Sequence, residues 1–248
     1  MGIAWRINNA VTRLLPFKHV RSLTTRPMAS VTFDDFPKSA WTVGGSILAE
    51  YGARATYYAA GRFRGLTEDG IRYWEDEDLK AVHGAGHEVA CHSFAHAKAS
   101  SLDRAAFLAE ADRNEAFICE RIGVGRLASY AYPYGDISPP AKARAARRYA
   151  CARGIRRAVN TKWIDLAELS AVAIEHRRWR PDEIDALISR ARASAGWLIF
   201  FTHDVDDAPS PFGCTPAMLR HVLDQVTDAG VDILPVKQAM ARAVFGEG

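Results

Sequence analysis

The chain has 248 residues, of which 48% are hydrophobic and 25% are charged. This length and composition predict a globular protein with a full hydrophobic core, and they fit one large α/β domain better than two small ones. The formal net charge of +3 is too small to indicate nucleic acid as a partner, and the four cysteines lack the spacing of a zinc finger or a disulfide framework.

The N-terminal stretch, residues 1–29, precedes the first predicted strand. Between positions 5 and 21 its apolar residues recur at helical spacing among arginines and lysines, which predicts an arm or helix packed on the domain. The alternative is a basic amphipathic helix that gives weak membrane association. The sequence shows neither a signal peptide nor an apolar run long enough to span a membrane, so we expect a cytoplasmic location.

The remaining residues, 30–248, alternate predicted strands with predicted helices. The predicted strands are 30–33, 55–60, 87–91, 128–132, 150–154, 171–175, 197–202 and 231–235. The predicted helices are 39–51, 76–84, 102–121, 138–149, 181–194, 215–228 and 236–244. This alternation implies a mostly parallel sheet, either a barrel or a doubly wound sheet, with the chemistry at the carboxyl ends of the strands.

Two adjacent carboxylates, Asp34 and Asp35, end the first predicted strand. Successive side chains of a regular strand point to opposite faces. Here the chain bends toward Pro37, so both carboxylates can enter one site. The alternative is that an aspartate caps the helix predicted at 39–51.

Two histidines, His92 and His96, follow the strand predicted at 87–91. A spacing of four places two imidazoles on one helical face or within one tight loop, close enough to bind a single cation. Either histidine alone is more often structural or exposed. Together with a strand-end aspartate they complete a set of two histidines and one carboxylate, which leaves open positions on a metal.

Two further strand ends carry candidate groups. His203 follows the apolar strand 197–202 and is a candidate acid or base, because histidine has an unperturbed pKa of about 6.5. The turn YPYG at 132–135 ends another strand and can aim a backbone N–H into a site. The alternative for this turn is a simple connection with packed tyrosines.

In this order the motifs resemble the polysaccharide deacetylases of carbohydrate esterase family four, the NodB-homology domain. The resemblance spans about 30 to 205 and rests on TFDD at 32–35, HSFAH at 92–96, YPYG at 132–135 and the strand that ends in His203. It implies a distorted (β/α) barrel with about seven mostly parallel strands, in a single domain at 30–248.

The resemblance also implies a role for each candidate residue. The implied ligands of one divalent metal ion, usually zinc, are Asp35, His92 and His96. Asp34 would be the base for the attacking water, and His203 would be the acid for the leaving amine. The backbone N–H of Tyr134 would stabilise the oxyanion.

One family feature is missing from the third motif. Many members have an arginine two residues before the proline, where it orients the base, whereas this chain has Ala131. An Asp-x-x-Asp-Trp motif of the family is also missing. We therefore expect another arginine to orient Asp34. The candidates are Arg153, Arg156, Arg177 and Arg178.

The implied activity is removal of acetyl groups from N-acetylated sugars in an oligosaccharide, a polysaccharide or a lipid-linked saccharide. One alternative is a related C–N amide hydrolase, deformylase-like or allantoinase-like, on the same site. A second alternative is a non-catalytic sugar-binding protein. Basic residues at 142–157 and at 177–180 could meet a phosphate on the substrate, although such charges are more often a solvated face.

Overall fold

The computed structural model describes residues 12–13 and 15–247. The predicted amphipathic segment of the first 21 residues lies mostly outside this part of the chain, so the packed arm and the membrane contact remain predictions. The strands are β1 His19–Arg21, β2 Met28–Asp34, β3 Thr56–Ala59, β4 Thr67–Glu68, β5 Ile71–Arg72, β6 Glu88–Cys91, β7 Ser129–Ala131, β8 Cys151–Arg153, β9 Trp163–Asp165, β10 Val172–Ala173, β11 Trp197–Thr202 and β12 Asp232–Ile233.

The α-helices alternate with the strands, as the sequence predicts. They are α1 Ser46–Glu50, α2 Asp76–Gly84, α3 Arg104–Ile122, α4 Pro139–Arg148, α5 Pro181–Ala193, α6 Pro216–Asp228 and α7 Val236–Phe245. A π-helical turn, Ala40–Gly45, leads into α1. Proline opens α4, α5 and α6, where its fixed φ suits a first helical position that has no backbone hydrogen bond to lose. Within the described part of the chain, no helix is both long and apolar enough to cross a membrane.

The main sheet is parallel and strongly curved. Its strand order is β10-β11-β2-β3-β6-β7-β8, and β12 pairs with the start of β2 beside this path. A parallel bridge between Arg153 and Leu169 brings the segment before β10 beside β8, so the two edges of the sheet meet. The seven-strand path confirms the predicted distorted (β/α) barrel.

Two short pairings were absent from the sequence-based prediction. The strand β1 pairs antiparallel with β9, and β4 forms a hairpin with β5. These strands have only two or three residues each, too few to show a periodic pattern. The predicted strands 171–175 and 231–235 shorten to two residues each in β10 and β12.

The core lies between the barrel and its helices. Every residue of the central strands β2, β3 and β11 is buried, as expected for parallel strands that are covered on both faces. The helix α7 closes the amino end of the barrel, where Val236, Ala239 and Ala243 pack in one apolar cluster with Met28 and Trp197. The carboxyl ends of the strands remain open to a cavity.

Candidate metal and catalytic site

The two neighbouring aspartates enter one site because the chain leaves β2 through a sharp bend. Asp34 is the last residue of β2 and pairs in register with Tyr58 of β3. Asp35 and Phe36 then adopt φ values of 60° and 59°, and the Phe36 N–H donates to the Asp34 carbonyl at 2.6 Å. This left-handed backbone is uncommon outside glycine, and it brings the second carboxylate into the same cavity as the first.

The histidine motif forms a tight loop rather than a helix. Ser93 and His96 have φ values of 62° and 53°. The carboxylate of Glu110, on α3, accepts hydrogen bonds from Ser93 Oγ at 2.8 Å and from the Ala95 N–H at 2.7 Å. The serine therefore fixes the path of the loop, and the loop sets the directions of the flanking imidazoles.

The residues Asp35, His92 and His96 converge. Asp35 Oδ1 lies 3.3 Å from His92 Nε2 and 3.1 Å from His96 Nε2. His92 Nδ1 lies 2.8 Å from the Ala131 carbonyl oxygen. Because that oxygen can only accept, Nδ1 carries the proton and Nε2 presents its lone pair to Asp35.

The donor set fits a divalent cation. Asp35 Oδ1 is buried and has no hydrogen-bond donor of acceptable geometry, and buried polar atoms of this kind are rare without a functional reason. One ligand atom from each of the three residues lies within 4.8 Å of the others. Lone pairs that face one another without a shared proton are what a cation would bridge.

The charge states also suit a metal. Burial by itself raises the pKa of Asp35, but the His92 and His96 imidazoles, when they carry a proton toward it, outweigh this effect and hold the pKa below its usual range. Burial lowers the pKa of His96 to about 4, against the opposing effect of Asp35. At neutral pH the carboxylate is therefore ionised and the His96 imidazole is neutral, as metal ligation requires.

Asp34 is held by an arginine from β8. Arg153 is completely buried, and its Nη2 donates to Asp34 Oδ1. Its guanidinium lies 5.0 Å from the ring centroids of Tyr58 and Phe201. Ala131 is the residue paired with Arg153 across β7 and β8, so the charged side chain stands on the strand next to the one that carries the third motif.

The other three candidate arginines have different partners. Arg156 Nε donates to Ser170 Oγ at 3.1 Å. Arg177 Nε donates to Glu175 Oε2 at 2.8 Å, and Arg178 lies 4.0 Å from the same carboxylate. Among the four candidates, Arg153 is the one with a described contact to Asp34.

His203 and Tyr134 lie beside the cluster of Asp35, His92 and His96. His203 follows β11, and its Nε2 is 3.9 Å from Asp35 Oδ2. Its Nδ1 lies 3.3 Å from the Phe212 carbonyl oxygen, which leaves Nε2 toward the cavity. Tyr134 has a φ of 61°, and its ring centroid is 4.4 Å from that of His96.

All six predicted site residues line one cavity of about 800 Å³. This volume falls within the usual range for small-molecule sites. Apolar side chains, among them Ile155, Val172 and Phe212, form much of the remaining wall. Arginines from the segments after β8 and β10 complete it. Glu110 could not be predicted as a site residue from the sequence, because a polar residue on a helix is usually solvated.

Backbone strain is concentrated at this site. Among the described residues, eight non-glycine residues have positive φ, and five of these belong to the three site loops. They are Asp35, Phe36, Ser93, His96 and Tyr134. Strained conformations persist where the surrounding structure enforces them, and they cluster at functional sites.

Solved structures with the same fold are family 4 carbohydrate esterases or related deacetylases. The Bc1960 peptidoglycan N-acetylglucosamine deacetylase has a TM-score of 0.64 at 12% identity, with 92% of each chain covered. The chitin deacetylase of Colletotrichum lindemuthianum has a TM-score of 0.61 at 14% identity, with 88% of this chain and 89% of that chain covered. A BA3943 mutant, described as a pseudoenzyme with restored activity, has a TM-score of 0.60 at 15% identity, with coverage of 89% and 70%. At these identities the likeness concerns the fold.

The curated proteins provide no match. A family model described as polysaccharide deacetylase matches residues 21–150, which is more than half of the chain. The matched range contains both aspartates, both histidines and the YPYG turn, whereas Arg153 and His203 lie beyond it. On this match the chain belongs to the polysaccharide deacetylase family.

Proposed function

We propose that this protein is a metal-dependent hydrolase that removes acetyl groups from N-acetylated sugars. The observation that carries the proposal is the buried Asp35 oxygen that faces two imidazole nitrogens without a hydrogen-bond donor. Beside it stands a second carboxylate, Asp34, with a different partner. One acid is thus available to a cation while its neighbour stays available to a proton.

The metal ligands in this proposal are Asp35, His92 and His96. Two imidazoles and one carboxylate suit zinc and leave positions for water and substrate. Bound there, the ion would supply a Lewis acid that activates water and polarises the acyl carbonyl. The Ala131 carbonyl holds the His92 ring in the tautomer that this arrangement needs.

The other groups move protons and stabilise charge. Asp34 accepts the proton of the attacking water, and Arg153 keeps that carboxylate in place. His203 gives a proton to the leaving amine from the side of the cavity where its Nε2 lies. The backbone N–H of Tyr134 serves the oxyanion, and one such donor in a dry site contributes about 3 to 4 kcal/mol.

The decisive experiment combines metal analysis with a substrate panel. We expect the purified protein to hold about one divalent ion per chain and to release acetate from N-acetylated sugars. Asp34→Asn should keep the ion and lower kcat by about 10² to 10⁴, the usual contribution of a general base. Asp224→Asn, which alters a carboxylate on α6 that contacts Tyr51, is the matched control and should leave kcat unchanged.

The panel also separates the alternatives. Release of formate, or ring opening of a cyclic ureide, in place of acetate would assign the same site to another C–N bond. Absence of turnover on N-acetylated, O-acetylated and N-formylated substrates by fully metal-loaded protein would contradict the enzymatic proposal. That result would favour a sugar-binding protein, which the pseudoenzyme with this fold makes a concrete alternative.

A further inference from the structure

Besides Arg62, four arginines line the same cavity as the candidate metal site. Arg157 follows β8, whereas Arg177, Arg178 and Arg180 lie between β10 and α5. Because β8 and the segment before β10 are neighbours in the barrel, the two arginine-bearing segments follow adjacent parts of the sheet. We call these four residues the arginine wall.

The arginine wall carries excess positive charge. Glu183 pairs with Arg157, and Glu175 is the carboxylate near both Arg177 and Arg178. Arg180 has no carboxylate within 4.0 Å among the described residues, and its Nη1 donates to the Trp179 carbonyl at 2.9 Å. Two carboxylates therefore face four guanidinium groups.

Apart from Glu175, the acidic lining of the cavity belongs to other parts of the chain. Asp34 and Asp35 belong to the catalytic cluster. Glu68 and Asp69 lie in the β4–β5 hairpin, where Glu68 pairs with Arg62 at 3.3 Å. The arginine wall therefore carries net positive charge, whereas the lining from the β2 end and the β4–β5 hairpin, Arg62 included, carries net negative charge, which favours a ligand with an anionic group at one end.

The wall is held by the rest of the site. The Arg177 guanidinium lies 4.0 Å from the centroid of the Phe212 ring, and the His176 N–H donates to the Gly213 carbonyl at 2.7 Å. Phe212 itself lines the cavity next to His203. The segment that carries the arginines is therefore tied to the segment that positions the candidate acid.

The helix α5 adds a weaker contribution of the same sign. It begins at Pro181 beside Arg180 and has no side-chain N-cap. Ile184, in its first turns, lines the cavity. The positive end of the helix dipole therefore lies at the arginine wall, although Asp182 and Glu183 in the first turn offset part of this effect.

From this charge distribution we infer that the arginine wall binds a phosphate group carried by the N-acylated sugar. Guanidinium groups recognise phosphate through paired N–H donors. The apolar side chains Ile155, Val172 and Phe201 line the same cavity and would cover the sugar ring and its acyl group. This inference rests on the proposed deacetylation and narrows the substrate from a neutral polymer to a phosphorylated saccharide.

The test compares N-acetylglucosamine 1-phosphate with N-acetylglucosamine on the zinc-loaded full chain, with acetate release as the readout. We expect kcat/KM to be at least tenfold higher for the phosphorylated sugar. In the double variant Arg178→Gln/Arg180→Gln this ratio should fall toward one, mainly through a higher KM. Arg190→Gln, an exposed substitution on α5, is the matched control and should preserve the ratio.

A binding measurement separates this inference from the proposed function. Inorganic phosphate, titrated calorimetrically into the zinc-loaded wild type and the double variant, should bind the variant at least fivefold more weakly. Metal-bound phosphate contributes equally to both proteins. If no sugar is hydrolysed but this difference persists, deacetylation is wrong and the phosphate site stands. If acetate is released with equal kcat/KM from both sugars and phosphate binds both proteins alike, the phosphate site is wrong and deacetylation stands.

A third substrate identifies the source of the phosphate. A sugar joined through phosphate to a short polyprenyl chain, dispersed in detergent, presents the same anionic group as the soluble sugar phosphate. A higher kcat/KM for the polyprenyl form assigns a lipid-linked substrate, and a higher value for the soluble form assigns a free sugar phosphate. Preference for the phosphate-free sugar over both would overturn the inference.

Discussion

Two buried carboxylates at opposite ends of the barrel have opposite surroundings. Glu88, at the amino end, accepts hydrogen bonds from Thr56 Oγ1 at 2.8 Å, Ser129 Oγ at 2.6 Å and the Lys237 N–H at 2.7 Å. Burial raises the pKa of Glu88, and these donors oppose the shift. Asp35, at the carboxyl end, has an oxygen without any donor. Burial alone therefore does not mark a functional carboxylate.

The two carboxylates differ in the groups that surround their oxygens. The bonds of Glu88 join β3, β7 and the start of α7 to β6, so this carboxylate closes the amino end of the barrel. The Asp35 oxygen that lacks a hydrogen-bond donor instead faces two imidazoles. A satisfied acid serves stability and an unsatisfied acid serves a ligand, and the following variants test that distinction.

The largest effect is expected from Asp35→Ala. Removing this carboxylate should lower the bound metal from about one ion per chain to none and abolish hydrolysis, because two imidazoles alone seldom retain a catalytic ion. Elemental analysis after dialysis and an acetate assay measure both effects. An unchanged metal content would contradict the assignment of Asp35 as a ligand.

The next effect concerns Arg153. Arg153→Ala should keep the metal and lower kcat by about 10- to 100-fold, the range for residues that orient a functional group from behind. The loss should fall on kcat with KM little changed, because Arg153 contacts Asp34 and does not line the cavity. A loss of folded protein or of metal, with kcat of the remaining loaded protein unchanged, would indicate a purely structural role.

The double variant Ala131→Arg/Arg153→Ala tests whether the arginine can act from β7 as well as from β8. The two positions are paired across β7 and β8, so a guanidinium from position 131 occupies space that the Arg153 side chain has left. We expect the double variant to recover part of the lost kcat. A double variant that is no more active than Arg153→Ala, at equal metal content, would argue that the site needs the arginine on β8.

A moderate effect on stability is expected from Glu88→Gln. In the variant, the amide NH₂ of glutamine would face one of the donors that binds a carboxylate oxygen in the wild type. The free energy of unfolding should therefore fall by about 1 to 3 kcal/mol. Chemical denaturation measures this loss. The metal content and kcat of the folded protein should not change. A loss of metal would contradict the distinction between Glu88 as a structural carboxylate and Asp35 as a ligand.

The smallest effect at neutral pH is expected from His87, also near the amino end of the barrel. Its Nδ1 accepts the Ala55 N–H at 2.9 Å, and burial lowers its pKa to about 4. The unfolded chain, in which histidine has a pKa of about 6.5, binds more protons over this window. The stability of the fold should therefore decrease as the pH falls from about 6.5 to 4.

His87→Gln should flatten that dependence. Urea unfolding at several pH values, compared between the two proteins under the same metal conditions, cancels the contributions of other groups. Equal slopes for the wild type and His87→Gln would contradict the assignment.

The sequence predicted most of the fold because its long elements are strongly patterned. The apolar strands β2 and β11 and the capped or proline-opened helices fall close to their predicted positions. Very short strands escaped prediction, since the pairing of β1 with β9 and the β4–β5 hairpin depend on contacts made by the folded chain. The local sequence pattern therefore predicted the barrel but not its short additional strands.

Part of the candidate site could also be predicted from the sequence. Strand-end aspartates and histidines could be recognised from their positions, and the structure places them together. The sequence could not select Arg153 from four arginines, because the choice depends on the register of β8 against β7. Glu110 was missed because its contact with Ser93 joins residues that are 17 positions apart in the sequence. Only the folded chain brings them together.

Ala131 contributes to the site through its carbonyl oxygen, which accepts a hydrogen bond from the His92 Nδ1–H. Alanine scanning cannot delete a main-chain atom, and a comparison of side chains at this position records nothing about it. The orientation of the His92 ring thus depends on the course of β7 rather than on the identity of a side chain, so this position can hold alanine and still determine which imidazole nitrogen faces Asp35.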